Sequence, residues 1–237
     1  MKKICLFGDS ISKGIVVDSL HNRYMTTKHS FANIISAGTS TFDLANYSML
    51  GCTINKGKSL IQRHKKTVEG CDVMVLEYGG NDSDHNWEEI SLNPDYQHKA
   101  KTPIEDFAIC YQEIIEQLSR MDKKILMLNL PPIDENKYLD WFSRGLDKDN
   151  ILKWLGGSAD YIYEFHESYN NKVCSIAAEN GIRLIDIRSA FLELGNYSDC
   201  LCEDGIHPNE KGHDLIAEVI RLEMPQLTKA FTENLGA

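Results

Sequence analysis

The sequence contains no run of apolar residues approaching the ~20 needed to cross a lipid bilayer, which excludes a transmembrane helix. Basic residues are also in deficit: 25 lysines and arginines face 35 aspartates and glutamates, for a formal net charge of -10. An acidic protein is repelled by nucleic acids and by anionic membrane surfaces. We therefore expect neither as the main partner, and a small molecule instead.

Two common motifs are absent as well. No Gly-x-x-x-x-Gly-Lys-Ser/Thr sequence occurs, so the binding of nucleotide phosphates has no support. No Gly-x-Ser-x-Gly pentapeptide occurs either, and this excludes the nucleophile elbow of the ordinary α/β-hydrolases.

The cysteines are seven in number and do not indicate a disulfide framework. Met1-Lys2-Lys3 resembles the start of a signal peptide, but Asp9 interrupts the apolar stretch too early for one. We therefore expect reduced thiols and a cytoplasmic protein.

Cys200 and Cys202, with His207 nearby, raise the possibility of a metal site. Zinc sites usually space two cysteines by two or more residues, and no second Cys/His pair completes a ligand set here. We expect no metal.

Apolar runs typical of buried strands alternate with stretches typical of helices. Continuous runs such as 73–76 and 125–128 indicate strands buried on both faces of a parallel sheet. The alternation predicts a single α/β domain over residues 1–237, with a parallel sheet between two helical layers. The predicted strands are 4–7, 42–48, 73–78, 125–130 and 183–187, and the predicted helices are 31–37, 104–121, 161–180 and 209–222.

Two segments do not fit this alternation. Residues 83–103 are polar and predict a loop, and residues 131–163 carry six aromatic side chains. Long segments at strand ends often build pockets and lids. We expect both to be pocket or lid insertions, with one or two of the aromatics lining the pocket and the others packing on the sheet.

The candidate catalytic residues lie near opposite ends of the chain. Gly8-Asp9-Ser10 directly follows the first predicted strand, which places Ser10 on the rim of the sheet, where ligands of open α/β folds bind. A serine hydroxyl needs a base to become nucleophilic. His207 can be that base, and Asp204, three residues earlier with Gly205 between, can hold its other ring nitrogen.

Acyl transfer also needs donors for the developing oxyanion. Gly79-Gly80-Asn81-Asp82 follows the strand 73–78 and offers the Asn81 side-chain amide. The segment 46–51 follows the second predicted strand and offers the backbone amide of Gly51.

Four short motifs occur along the chain in the order Gly-Asp-Ser, Asn-x-Ser-x-x-Gly, Gly-Gly-Asn-Asp and Asp-Gly-Ile-His-Pro. In these motifs and in their order, the sequence resembles the SGNH hydrolase superfamily, the GDSL-type esterases and lipases. The resemblance implies a flavodoxin-like three-layer α/β/α sandwich with a parallel central sheet. It implies Ser10 as nucleophile, Asp204 and His207 as its partners, and the oxyanion hole formed by Ser10, Gly51 and Asn81. It implies no metal and no organic cofactor.

These residues predict a serine hydrolase that cleaves carboxylic esters through an acyl-enzyme, on small acyl or acetyl esters such as acetylated carbohydrates. A lysophospholipase or acyl-thioesterase is the alternative within the enzyme class, and a catalytically silent carbohydrate-binding module is the alternative outside it. His85, just after the Asn81 block, is a possible substrate contact or a surface loop residue. The sequence does not predict the oligomeric state.

Overall fold

The computed structural model describes residues 1–21 and 23–233, in which strands and helices alternate. The strands of this part are β1 (Lys2–Gly8), β2 (Ile15–Asp18), β3 (Arg23–Thr26), β4 (Phe42–Asn46), β5 (Val73–Glu77), β6 (Lys124–Leu128) and β7 (Arg183–Ile185). The α-helices are α1 (Ser10–Lys13), α2 (Phe31–Ala37), α3 (Ile54–Arg63), α4 (Lys65–Glu69), α5 (Gly80–Ser83), α6 (Trp87–Leu92), α7 (Ile104–Arg120), α8 (Glu135–Phe142), α9 (Lys148–Trp154), α10 (Asp160–Glu179), α11 (Ile187–Leu192) and α12 (Glu210–Glu233).

Five of the strands form one parallel sheet in the order β4-β1-β5-β6-β7. This is the doubly wound order of flavodoxin-like folds, and it confirms the predicted parallel sheet and its five strands. In the register of the sheet, Gly8 lies beside Glu77 and Leu6 lies beside Asn46. The segments that follow β1, β4 and β5 therefore leave the sheet at the same edge.

Successive side chains of a strand point to opposite faces of the sheet, and each face packs against its own layer of helices. Cys5 and Phe7 of β1 pack into a core with α3, α7 and α10. Ile4 and Leu6 pack into the opposite core with α2, α11 and α12. The result is the predicted three-layer sandwich, and the four predicted helices are α2, α7, α10 and α12.

A third, smaller core lies outside the two main layers. Residues 83–103, predicted as loop, contain α6, and residues 131–163 contain α8, α9 and the start of α10. The apolar residues of these short helices pack mainly on one another, around Trp87, Ile90, Leu139, Ile151 and Leu155. Helices of six to eight residues give too few turns for an apolar period to be read from sequence.

The cysteines require one correction. The sequence predicts reduced thiols, but the structure joins Cys5 on β1 and Cys71, just before β5, in a disulfide. The two residues are 66 positions apart, and only the pairing of their strands brings them together. The redox argument for a cytoplasmic location therefore loses its support, and that location stays a prediction.

Cys200 and Cys202 are buried free thiols. Within residues 1–21 and 23–233, no group of three or more His, Cys, Asp or Glu side chains is placed to hold a metal ion. No helix of this part is long and apolar enough to span a bilayer.

Candidate active site

The segment after β1 turns sharply into the short helix α1, whose first residue is Ser10. Asp9 caps this helix, and its Oδ1 accepts a hydrogen bond of 2.8 Å from the Ile11 amide. Amides in the first turn of a helix have no partner within the helix. The turn therefore presents the Ser10 hydroxyl and the Ser10 backbone amide together, at the carboxyl edge of the sheet.

Asp204 and His207 form a buried pair within a single turn of the chain. Oδ2 of Asp204 lies 2.5 Å from Nδ1 of His207, and Asp204 Oδ1 accepts the His207 amide at 3.1 Å. Gly205, between them, has a φ of +72° and lies against α8, where a Cβ would collide with the Asp134 carbonyl. The Asp-Gly-Ile-His spacing thus lets a carboxylate hold one imidazole nitrogen.

One cavity of about 420 Å³ brings most of the predicted site residues together. Ser10, Asn81, His85 and His207 all line it. Asp204 is fully buried beside His207 and does not reach the lining. Nε2 of His207 has no hydrogen-bond partner among the described residues. No hydrogen bond therefore joins the Ser10 hydroxyl to His207 in this structure.

The two remaining oxyanion candidates are placed differently. Asn81 lies in α5, and its side-chain amide donates a 2.9 Å hydrogen bond to Asp9 Oδ2, next to Ser10. Gly51 is not part of the cavity lining, although the preceding residue, Leu50, is. Gly51 has a φ of +67° with open space where a Cβ would be, so its amide belongs to a tight turn at the cavity rim.

Two buried carboxyl groups, those of Asp9 and Glu77, lie at the turn that carries Ser10. The Asp9 amide and the Ser12 hydroxyl both donate to Glu77 Oε2, at 3.3 Å and 2.8 Å. Burial raises the pKa of Asp9, and burial together with the Asp9 charge raises the pKa of Glu77 well above its usual 4.5. Since Asp9 also accepts from Asn81 and Ile11, we assign the negative charge to Asp9 and the retained proton to Glu77.

This assignment predicts how stability depends on pH. Above pH ~4.5 an unfolded Glu77 would release its proton while the folded one keeps it, so stability should fall as the pH rises, by up to about 1.4 kcal/mol per pH unit. Glu77→Gln should remove that component. Urea unfolding of both proteins at pH 5, 7 and 9 measures it, with the exposed Glu218→Gln as control. If the wild type and Glu77→Gln change in parallel with pH, Glu77 does not hold the proton.

Aromatic side chains form much of the cavity wall. Tyr138, Trp141, Phe142 and Tyr161, from the predicted lid segment 131–163, line the cavity, which is more than the one or two expected. Trp87 stacks on Phe142, with ring centroids 4.1 Å apart. The apolar surface beside Ser10 therefore comes from elements outside the sheet.

A hairpin that the sequence did not reveal also reaches the site. Strands β2 and β3 pair antiparallel, and they place the Tyr24 ring edge-on to His207, with centroids 5.0 Å apart. Burial, together with the nearby Asp204, raises the pKa of Tyr24, so the phenol is neutral near pH 7. The tyrosine therefore covers one side of the imidazole without adding charge.

Sequence reasoning missed three residues of this site: Tyr24, Glu77 and His166. Glu77 gave a signal, since it is a charged residue at the end of the apolar run 73–76. His166 gave one as well, because it shares the spacing of the buried face of α10 with Ile162, Tyr169 and Val173. For Tyr24, no feature singled out in the sequence indicated the hairpin.

A family model, described as the GDSL-like lipase/acylhydrolase family, matches residues 6–215, from β1 through the Asp204–His207 turn. The chain belongs to this family. It is therefore classed among the carboxylic ester hydrolases, and the predicted family resemblance is confirmed. A search of curated protein sequences finds no match to the chain.

Solved structures share the fold of this GDSL-like chain at low identity. A lipase/acylhydrolase from Enterococcus faecalis has a TM-score of 0.66 at 19% identity, covering 94% of this chain and 95% of that one. An acetylxylan esterase from Geobacillus stearothermophilus has a TM-score of 0.66 at 17% identity, with 94% of each chain covered. The psychrotrophic esterase EstA from Pseudoalteromonas sp. has a TM-score of 0.63 at 14% identity, covering 97% and 100%.

Proposed function

We propose that this GDSL-like protein hydrolyses carboxylic esters through an acyl-enzyme at Ser10, and that its substrates are small acetyl esters such as acetylated carbohydrates. The observation that carries the proposal is the buried Asp204–His207 pair, whose imidazole lines the same cavity as Ser10 and Asn81. A nucleophile, a base held by a carboxylate and an amide donor beside one cavity are the parts that acyl transfer needs.

In the proposed mechanism the Ser10 hydroxyl attacks the ester carbonyl, and its proton passes to Nε2 of His207. Asp204 keeps the other proton on Nδ1 and supports the imidazolium that forms. The Ser10 amide, the Gly51 amide at the cavity rim and the Asn81 side chain donate to the oxyanion. His207 then gives its proton to the leaving alcohol, and a water molecule repeats the sequence to release the acid.

The size of the cavity favours a small substrate. About 420 Å³ lies toward the lower end of the range for small-molecule sites. Proteins that share this fold include acetylxylan esterases. Both points support the acetyl-ester proposal over a long acyl chain.

Ser10 should be labelled covalently by a fluorophosphonate probe, because a serine activated by a general base attacks the phosphorus, expels fluoride and becomes phosphonylated. Peptide mass spectrometry locates the label, and Ser10→Ala is the matched control. Ser12, two residues away, should stay unlabelled because its hydroxyl is buried and donates to Glu77. A label on another serine would overturn the nucleophile assignment. The absence of any label on the folded protein would favour the catalytically silent module.

A lysophospholipase or acyl-thioesterase is the second candidate, and the apolar cavity wall favours it. Tyr24, Leu50 and Tyr161 line the cavity while remaining 38–50% exposed, so they could support a hydrocarbon chain at its mouth. A series of p-nitrophenyl esters from acetate to palmitate separates the two candidates. We expect kcat/KM to be highest for acetate, and a maximum at eight or more carbons would establish the second candidate instead.

A further inference from the structure

The cavity contains two histidines that the proposed mechanism does not use. His85 lies between α5 and α6, and His166 lies on the buried face of α10. Their side chains are almost completely buried, with 5% and 7% of their surface exposed, yet both line the same cavity as Ser10. His85 is thus not the surface loop residue that the sequence also allowed.

The surroundings of His85 are aromatic. Its ring centroid lies 5.4 Å from that of Trp87, 5.0 Å from that of Trp154 and 4.9 Å from that of Phe165. No described residue hydrogen-bonds to either of its ring nitrogens. Because His85 lines the cavity, a ligand bound there can hydrogen-bond to its imidazole.

His166 follows Phe165 in the chain and lines the same cavity. Its Nδ1 is buried and has no hydrogen-bond partner among the described residues. Burial lowers the pKa of His85 to about 4, and burial together with the Arg188 charge lowers the pKa of His166 to about 3. Each imidazole is then neutral near pH 7 and carries one N–H donor and one acceptor nitrogen.

The neutral imidazoles of His85 and His166 restrict which ligands can bind in this part of the cavity. A ligand that displaces solvent must offer both acceptors and donors, because a buried polar atom left unpaired is costly. A hydroxyl group offers both, whereas a hydrocarbon chain offers neither. The neighbouring aromatic rings would meanwhile cover the C–H faces of a sugar ring.

We infer that His85 and His166 form a hydroxyl-binding subsite, which selects a carbohydrate portion of the substrate over a hydrocarbon chain. This inference rests on the proposed ester hydrolysis at Ser10, and it assigns the part of the cavity that recognises the sugar. The subsite contributes to binding in the ground state and the transition state alike, so its loss should raise KM more than it lowers kcat.

The test compares two acetyl esters, a monoacetylated methyl β-D-xylopyranoside and p-nitrophenyl acetate. His85→Leu and His166→Leu should each lower kcat/KM on the glycoside by roughly 3- to 10-fold, the loss of about one net hydrogen bond, mainly through KM. The rate on p-nitrophenyl acetate should stay within about 2-fold. His85→Gln should recover part of the loss, because an amide also offers a donor and an acceptor.

His98→Leu is the matched control, because His98 packs against Trp154 at 5.8 Å but does not line the cavity. This variant should keep both activities. A direct readout is tryptophan fluorescence with methyl β-D-xylopyranoside, which should saturate for the wild type and require more glycoside for His85→Leu, since Trp87 and Trp154 flank that histidine.

The outcomes separate this inference from the proposed function. If the wild type does not hydrolyse p-nitrophenyl acetate and Ser10 is not labelled, the proposed function itself fails. If p-nitrophenyl acetate is hydrolysed but the leucine variants lose nothing specific to the glycoside, the subsite is wrong and the esterase proposal stands. Equal losses on both esters would show a structural role for the histidines and would also overturn the subsite.

Discussion

Asp204→Asn should lower kcat by roughly 10⁴-fold while leaving the fold intact, the loss expected when the carboxylate of a Ser-His-Asp triad becomes an amide. The reason lies in the hydrogen-bond geometry. Oδ2 of Asp204 receives the proton on His207 Nδ1 at 2.5 Å, which leaves Nε2 unprotonated and able to act as a base. An asparagine amide in that place would donate to Nδ1 and force the proton onto Nε2, where it blocks proton transfer from Ser10.

The variant should remain folded because Oδ1 keeps its role. In the wild type Oδ1 accepts the amides of Ile206 and His207, and an asparagine oxygen can do the same. Rates on p-nitrophenyl acetate, together with a urea midpoint, separate the loss of catalysis from the loss of stability. Asp199→Asn and Glu203→Gln are the controls, because both carboxylates are exposed neighbours that could be taken for the third member of the triad. Near-wild-type activity in Asp204→Asn, or a large loss in either control, would move the role to another carboxylate.

Asn81→Ala should lower kcat by roughly 10²- to 10³-fold with little change in KM, the loss expected for one oxyanion donor. Nδ2 of Asn81 donates to Asp9 Oδ2 at 2.9 Å, and this contact fixes the amide beside Ser10. The second N–H of the same amide remains for the oxyanion. Because the oxyanion exists only after attack, the loss should appear in kcat and not in substrate binding.

The control must show that the effect is not a general cost of losing an amide. Asn180→Ala removes a side-chain amide at the end of α10 that bonds to Gln112. Its kcat should equal that of the wild type. If Asn81→Ala raises KM and leaves kcat unchanged, Asn81 contacts the substrate in its ground state and does not stabilise the transition state.

Much of the fold was predictable from the sequence because its signals are local. The runs 4–7, 73–76 and 125–128 are apolar and bounded by polar or turn-forming residues, and their short length favours a strand buried on both faces over a buried helix. The pairing of Asp204 with His207 was predictable for a related reason. Three residues with a glycine between them reach one another in a single turn, so no distant part of the chain is needed to form the pair.

Contacts between residues far apart in the chain were decided by the tertiary structure. Asp9 and Glu77 are 68 residues apart and share a buried site only because β1 and β5 are neighbours in register. The same pairing brings Cys5 to Cys71 and gives the disulfide that sequence counting missed.

The sequence by itself determined which residues are candidates for the chemistry and at which edge of the sheet they lie, because strand runs and short motifs depend only on neighbouring residues. The packing of α6, α8, α9 and the β2–β3 hairpin over that edge decided the shape of the cavity. The same packing buried His85 among aromatic rings. Such packing depends on which surfaces meet after the chain has folded. A local pattern of residues carries no information about that.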